Sequence, residues 1–194
     1  MRRLFAVCLL LLFSPSAFAA PANYRYDQEE SNVKFSVRHM GVVTMAGYFT
    51  RFSGAFTCDP EDFSTGRVDI DIQTASVETG RNWSAKKLVS EEFFWAEKYP
   101  RILFESRSFE NVQGRQFDIY GDLTIRGITK QVVFKTAILP SFKDADGKIW
   151  THFKSEALIR RADFKLGTGG FFDPLLRAMD ETLAITLDVK GEPA

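Results

Sequence analysis

Cysteine is nearly missing from this chain. There are two in 194 residues, Cys8 and Cys58. Cys8 sits in an N-terminal leader that reads as cleaved, which leaves Cys58 without an intrachain partner. The fold must therefore stand on its core and not on disulfides. Histidine is as scarce: His39 and His152 are the only two, so a zinc site or a histidine base has few residues to draw on. The sharp catalytic motifs are missing too, with no G-x-S-x-G elbow and no Walker loop. Charge of one sign does not dominate. The chain has 25 basic and 25 acidic side chains, and loss of Arg2 and Arg3 with the leader leaves 23 against 25. That balance speaks against a nucleic-acid surface or a polybasic membrane patch. Long apolar runs are also lacking. The longest, residues 4–13, is too short to span a bilayer as a helix, which takes about 18 residues or more.

That run belongs to "MRRLFAVCLLLLFSPSAFAAPANY". Arg2 and Arg3 form a charged start, the apolar stretch follows, and Ala17-Phe18-Ala19 gives the small-x-small pattern of a signal peptidase site. Residues 1–19 are expected to be removed, with cleavage after Ala19 or Ala20. What remains, residues 21–194, is long enough for one domain with a real core.

What the mature chain has in excess is phenylalanine: 16 Phe against 10 Leu after the leader. A core that prefers Phe to Leu is built from strands more often than from helices. Strict alternation agrees. Val33, Phe35, Val37 and His39 alternate with polar residues, as do Val68, Ile70 and Ile72. Ile102, Phe104 and Ser106 form a third row, and Phe117, Ile119, Gly121, Leu123 and Ile125 a fourth. Phe134, Thr136 and Ile138 follow, then Phe153, Ser155, Ala157 and Ile159, and finally Leu183, Ile185, Leu187 and Val189. Period two with one apolar face predicts about eight half-buried antiparallel strands.

One region reads as helix, residues 81–100, with the helical insertion itself expected over about residues 82–98. Asn82 and Ser90 are candidate N-caps, Glu91 and Glu92 would complement the first turn after Ser90, and Pro100 ends the segment. A second helical turn is expected over residues 173–179, with Pro174 at its first position. Eight long antiparallel strands close into a barrel or split into a sandwich. Strand length and glycines inside strands favour the barrel. The stretch "GYFTRFSGAF", residues 47–56, adds detail. Phe49 and Phe52 are three apart and share a face only if one extra residue sits near Arg51, as a bulge in a sharply bent strand.

The remaining polar features have plain readings. "GTGG", residues 167–170, reads as a turn, because no strand-then-helix frame supports phosphate binding. Glu91 and Glu92 are neighbours at a helix start, whereas glycosidase chemistry needs two opposed carboxyls. His39 ends an apolar row and reads as a rim histidine, with contact to a ligand head group as the sharper alternative.

The segments "FSVRHMGVVTMAGYFTRFSGAFTCD", "VDIDIQTASVETG", "LVSEEFFWAEKYPRILFES", "YGDLTIRGITKQVVF" and "IRRADFKLG" occur in this order. Together they resemble the YceI-like family of bacterial periplasmic proteins, over roughly residues 24–190. The resemblance implies an all-β fold, an eight-stranded antiparallel lipocalin-like barrel with a short helical insertion, located in the periplasm. It implies a lumen that binds a polyisoprenoid or similar amphiphile, such as a quinone tail or an isoprenoid phosphate, and no catalytic centre. Many members carry Arg-Asp-x-His-Leu on the insertion. Here the matching residues are Ser84-Ala85-Lys86-Lys87-Leu88, so no head-group role for the insertion carries over.

On this reading the inward rows line a cavity, and the aromatic stretch is broken because its wall must curve. The candidate lumen residues are Phe35, Val37, His39, Phe49, Phe52, Phe56, Ile70, Phe104, Ile119, Leu123, Phe153 and Ile185. The expected function is a periplasmic carrier of an isoprenoid or other long-chain lipid, with that lipid or quinone as ligand, no cofactor and no metal. Two alternatives stay open. One is an accessory of quinone-linked electron transport acting through a membrane cytochrome. The other is a hydrolase or isomerase with an unrecognised site. No nucleic acid and no membrane span are expected, and a homodimer stays open.

Overall fold

Alternation in the sequence becomes alternation of burial in the computed structural model, which describes residues 22–26, 31–59, 62–80, 85–168 and 174–193. The leader, its cleavage site, Asn82, Trp83 and the second half of the "GTGG" segment lie outside these residues. Among the described residues eleven strands form, all in one antiparallel sheet. They are β1 (Ala22–Tyr26), β2 (Asn32–His39), β3 (Val43–Phe49), β4 (Phe52–Cys58), β5 (Arg67–Gln73) and β6 (Val77–Thr79). Then come β7 (Arg101–Gln113), β8 (Gln116–Ile125), β9 (Ile128–Lys143), β10 (Ile149–Arg160) and β11 (Met179–Pro193). In β8 every second residue from Phe117 to Ile125 is buried, as period two demands.

The sheet curls on itself. Pairing runs β1-β4-β5-β7-β8-β9-β10-β11, and β1 pairs back onto β11, so the circuit of hydrogen-bonded neighbours closes. Eleven segments reduce to eight wall positions because three strands are broken. β1 and β2 share one edge of β11: Tyr24 faces Pro193, and Val33 faces Leu187. β3 pairs with β2 while β4 pairs with β1, and β6 pairs with β3 while β5 pairs with β4. The expected eight-stranded barrel is thus present with three of its strands in two pieces.

The break between β3 and β4 is the bulge anticipated from Phe49 and Phe52. Both rings are buried, with Thr50 and Arg51 exposed between them. Breaking a strand leaves backbone groups without ladder partners, and each buried orphan costs about 1–3 kcal/mol. Ser76 ties them up through both its side chain and its carbonyl. Arg51 N–H donates to Ser76 Oγ (3.1 Å), Ser76 Oγ–H donates to the Gln73 carbonyl (2.7 Å), and Thr50 N–H donates to the Ser76 carbonyl (3.1 Å). Gln73 N–H returns to the Arg51 carbonyl at 2.9 Å. Ser76 ends a 3-10 turn, Thr74–Ser76, which is itself the break between β5 and β6. Two strand breaks therefore lie side by side and satisfy each other.

Two glycines make room for rings inside the barrel. A Cβ on Gly47 would lie 2.5 Å from Phe35 Cζ, and one on Gly121 would lie 2.5 Å from Phe104 Cζ and 2.6 Å from the Glu105 carbonyl oxygen. Close approach, anticipated for glycines within strands, is what these positions require.

The helical insertion is shorter than expected. Among its described residues only α1 (Ala85–Val89) is helical, and residues 90–99 form tight turns. Ser90 is no N-cap: its hydroxyl donates back to the Lys87 carbonyl (2.7 Å), closing the helix. Phe94 N–H reaches the Leu88 carbonyl and Ala96 N–H the Val89 carbonyl, and Trp95 adopts a left-handed φ of 48°. The physical reason is the adjacent pair Phe93 and Phe94, both buried. A helix would splay consecutive rings by about 100°, whereas a turn lets both point inward. The second helix, α2 (Pro174–Arg177), starts at the expected proline.

Candidate functional site

Two apolar cavities occupy the lumen. The larger, about 90 Å³, lies between β4–β5 and the long strands β8–β10, walled by Phe52, Phe56, Phe117, Ile119, Phe153 and their neighbours. The smaller, about 50 Å³, lies toward the insertion, walled by Phe35, Phe49, Phe94, Leu123, Ile185 and others. Val33, Ile70, Phe104, Phe134 and Leu187 contribute to both, so these side chains form the partition between two chambers of one lumen.

The walls are rings in mutual contact. Phe35, Phe49 and Phe94 pack with centroids 5.5–5.6 Å apart. Tyr24 stacks on Phe56 at 5.3 Å, and Phe56 meets Phe153 edge-on at 4.8 Å. These are the offset and T-shaped geometries that aromatic quadrupoles favour. Rings in such contacts leave shallow gaps that aliphatic atoms can enter.

Ten of the twelve sequence-predicted residues line one chamber or both: Phe35, Phe49, Phe52, Phe56, Ile70, Phe104, Ile119, Leu123, Phe153 and Ile185. Val37 and His39 line neither. Val37 is buried on the inward row and stands opposite the buried Met45 and Leu183. His39 is at the strand's end, opposite Val43 and Met179, beyond the enclosed space. Period-two reading assigns the face correctly but carries no information on how far along the strand the cavity extends.

Some of the lining residues that sequence reasoning missed were already on its inward rows. Phe134, Thr136 and Ser155 line the larger chamber. Tyr24 also lines it, contributed by a strand too short to show alternation. Phe94 comes from the insertion and lines the smaller chamber.

Polar groups around the lumen are few. The Tyr24 hydroxyl is hydrogen-bonded with Cys58, and burial pushes the Cys58 thiol up to about 11. Burial, the neighbouring Cys58 charge and this bond likewise raise Tyr24 above the ordinary tyrosine value. A buried thiol with so high a pKa is a poor nucleophile at neutral pH. Thr136 and Ser155 face each other across β9 and β10, with their hydroxyl oxygens 2.8 Å apart. Arg161 closes the end of the barrel near β11. It donates to the carbonyls of Asp180 (2.7 Å), Leu166 (2.8 Å) and Met179 (3.2 Å), and its burial lowers its pKa. His152 pairs with Asp188 at 2.6 Å, outside the cavity walls. Among the described residues no three His, Cys, Asp or Glu side chains gather to hold a metal ion. No helix among them is long and apolar enough to cross a membrane. The insertion's Lys87 forms an ion pair with Glu92 (2.5 Å).

Comparison with known proteins agrees with this architecture. The YceI-like domain profile matches residues 24–191. Protein YceI of Escherichia coli O6:H1 is 34% identical over 160 residues, covering 81% of this chain and 83% of the relative. The crystal structure of the Campylobacter jejuni YceI protein superposes with a TM-score of 0.66 at 28% identity, covering 76% of this chain and 84% of that one. A polyisoprenoid binding domain from Saccharophagus degradans shares the fold, with a TM-score of 0.64 at 15% identity over 89% of this chain and 99% of that one. The chain belongs to the YceI-like family.

Proposed function

We propose that this YceI-like chain is a binding protein that holds an isoprenoid or similar long-chain lipid in its lumen and, exported by its leader, carries it through the periplasm. The observation that carries this reading is the larger chamber, whose wall is built from inward-facing Phe, Val, Ile and Leu on a closed circuit of strands. Eight-stranded barrels are wide enough to be filled by side chains or to hold one small ligand. Each buried CH₂ adds roughly 0.8 kcal/mol, so a chain of several isoprene units gains enough to exceed its ordering cost. Such a chain is larger than either cavity. Liquid water takes about 30 Å³ per molecule, so 90 Å³ has room for only a short segment. Loading therefore requires rings on the partition, Phe104 and Phe134 first, to change rotamer and join the two chambers. The Saccharophagus domain, described as binding polyisoprenoids, supports the ligand class.

The direct test is mass spectrometry of an organic extract from the mature protein, purified without detergent from the periplasm. A prenyl lipid at near-stoichiometric yield is the expected result. Absence of lipid, together with failure of the purified protein to take up an added prenyl alcohol, would remove the carrier reading.

A further inference from the structure

We propose that the Thr136–Ser155 hydroxyl pair is the point at which the lumen selects its ligand. It favours a lipid that places a neutral acceptor oxygen, carbonyl or ether, against this pair over one that is plain hydrocarbon there. The proposal rests on the lumen being the lipid site.

Both side chains are buried, at 5% and 7% exposure, and both line the larger chamber. Their neighbours along the inward rows are Phe134, Ile138, Phe153 and Ala157, all buried and apolar. Two hydroxyls carry two hydrogens. One is used between them, at 2.8 Å. For the other, the only further oxygen in reach among the described residues is the Phe134 carbonyl, 3.5 Å from Thr136 Oγ1, at the limit of a hydrogen bond. Whichever hydroxyl donates to its mate, the pair keeps a hydrogen poorly placed in an apolar chamber. Leaving a buried donor unmet is costly, and an acceptor oxygen in the chamber would meet it.

The other polar groups of the wall do not compete. The Tyr24 hydroxyl is engaged with Cys58. Ser53 and Asp69 sit opposite outward-row partners on β4 and β5, Ser53 facing Asp71 and Asp69 facing Ala55. Among the described residues no lysine or arginine lines this chamber, so a phosphate or carboxylate placed there would be buried without a counter-charge. A neutral oxygen is the group the pair can accommodate.

The test uses the full mature chain and its Thr136→Val/Ser155→Ala variant, which removes both hydroxyls with little change of shape. The probes are 8-pentadecanone and pentadecane, each displacing a polyene fluorophore from the lumen. The wild type is expected to favour the ketone roughly three- to tenfold, the worth of one hydrogen bond. In the variant that ratio should fall to about one. Thermal melting confirms that the variant is folded, since replacing both partners of a buried pair is close to neutral. A folded variant that keeps the ketone preference overturns the proposal, and so does a wild type with none. A wild type that binds neither probe removes the lipid lumen itself, and this proposal with it.

Discussion

Strands β7 to β11 run 13, 10, 16, 12 and 15 residues, while β1 to β6 run 5, 8, 7, 7, 7 and 3. One side of the barrel is thus a wall of long ladders, and the other a wall of short pieces. The two are stabilised differently. In the long wall, backbone pairing and alternating burial run together for most of each strand. In the broken wall, side chains take over part of the work: the Ser76 hydroxyl accepts from Arg51 N–H, and the rings of Phe35, Phe49 and Phe94 brace the bend. A wall that breaks can curve sharply and still keep its apolar residues inward. Both chambers lie between this wall and the long one, so the breaks are where the barrel departs from a solid core.

The largest expected effect comes from removing the extra residue. Deletion of Arg51 leaves one residue between Phe49 and Phe52, so both rings can face inward only on a straightened, unbroken strand, and the bend is lost together with its hydrogen bonds to Ser76 and Gln73. The protein should fail to fold or emerge without lipid, checked by circular dichroism and lipid extraction. Wild-type behaviour would show that the two walls do not differ in the way described.

A smaller effect should separate the glycines of the two walls. Gly121→Ala, on β8, puts a Cβ against the Glu105 backbone as well as the Phe104 ring, and backbone in a long ladder does not yield. A cost of about 1–3 kcal/mol is expected. Gly47→Ala, on β3, meets chiefly the tip of the Phe35 ring, which lines a cavity and can turn into it. Its cost should be clearly lower in the same urea melts. Equal losses would mean that Phe35 is as tightly held as a core residue.

Ser76→Ala tests the knot of the broken wall. It strips Arg51 N–H of its partner, and a loss of about 1 kcal/mol or somewhat more is expected by chemical denaturation. The counterpart on the long wall is the Arg107–Asp122 pair, at an irregularity between β7 and β8. Both groups are solvent-facing, so Arg107→Gln should change stability only slightly. Its pH dependence has a definite sign. The Arg107 hydrogen bond holds the Asp122 carboxyl below the usual carboxylate value. Its contribution is therefore present above the unfolded pKa, near 3.9, and is lost as pH falls through the lower folded value. Melts of variant and wild type should differ most near neutral pH and converge in acid. A gap that widens in acid would contradict the assigned pair.

Much of this was legible from residue order. Alternation needs only that one face of a strand meet water and the other not, so the inward rows of β2 and β7 to β11 follow from local pattern. The three-residue spacing of Phe49 and Phe52 betrayed the bulge for the same reason, since two large rings must both be buried. Tertiary structure decided the rest. Ser90 caps the end of a helix and not its start because Phe93 and Phe94 find their burial inside the barrel, a contact no local rule contains. Val37 and His39 lie outside the chambers because cavity depth depends on which residues of other strands stand opposite, the buried Met45 and Leu183 for Val37. The pairing of Thr136 with Ser155 likewise required the register of β9 on β10. Period two tells which way a side chain points; only the closed sheet sets what it meets there.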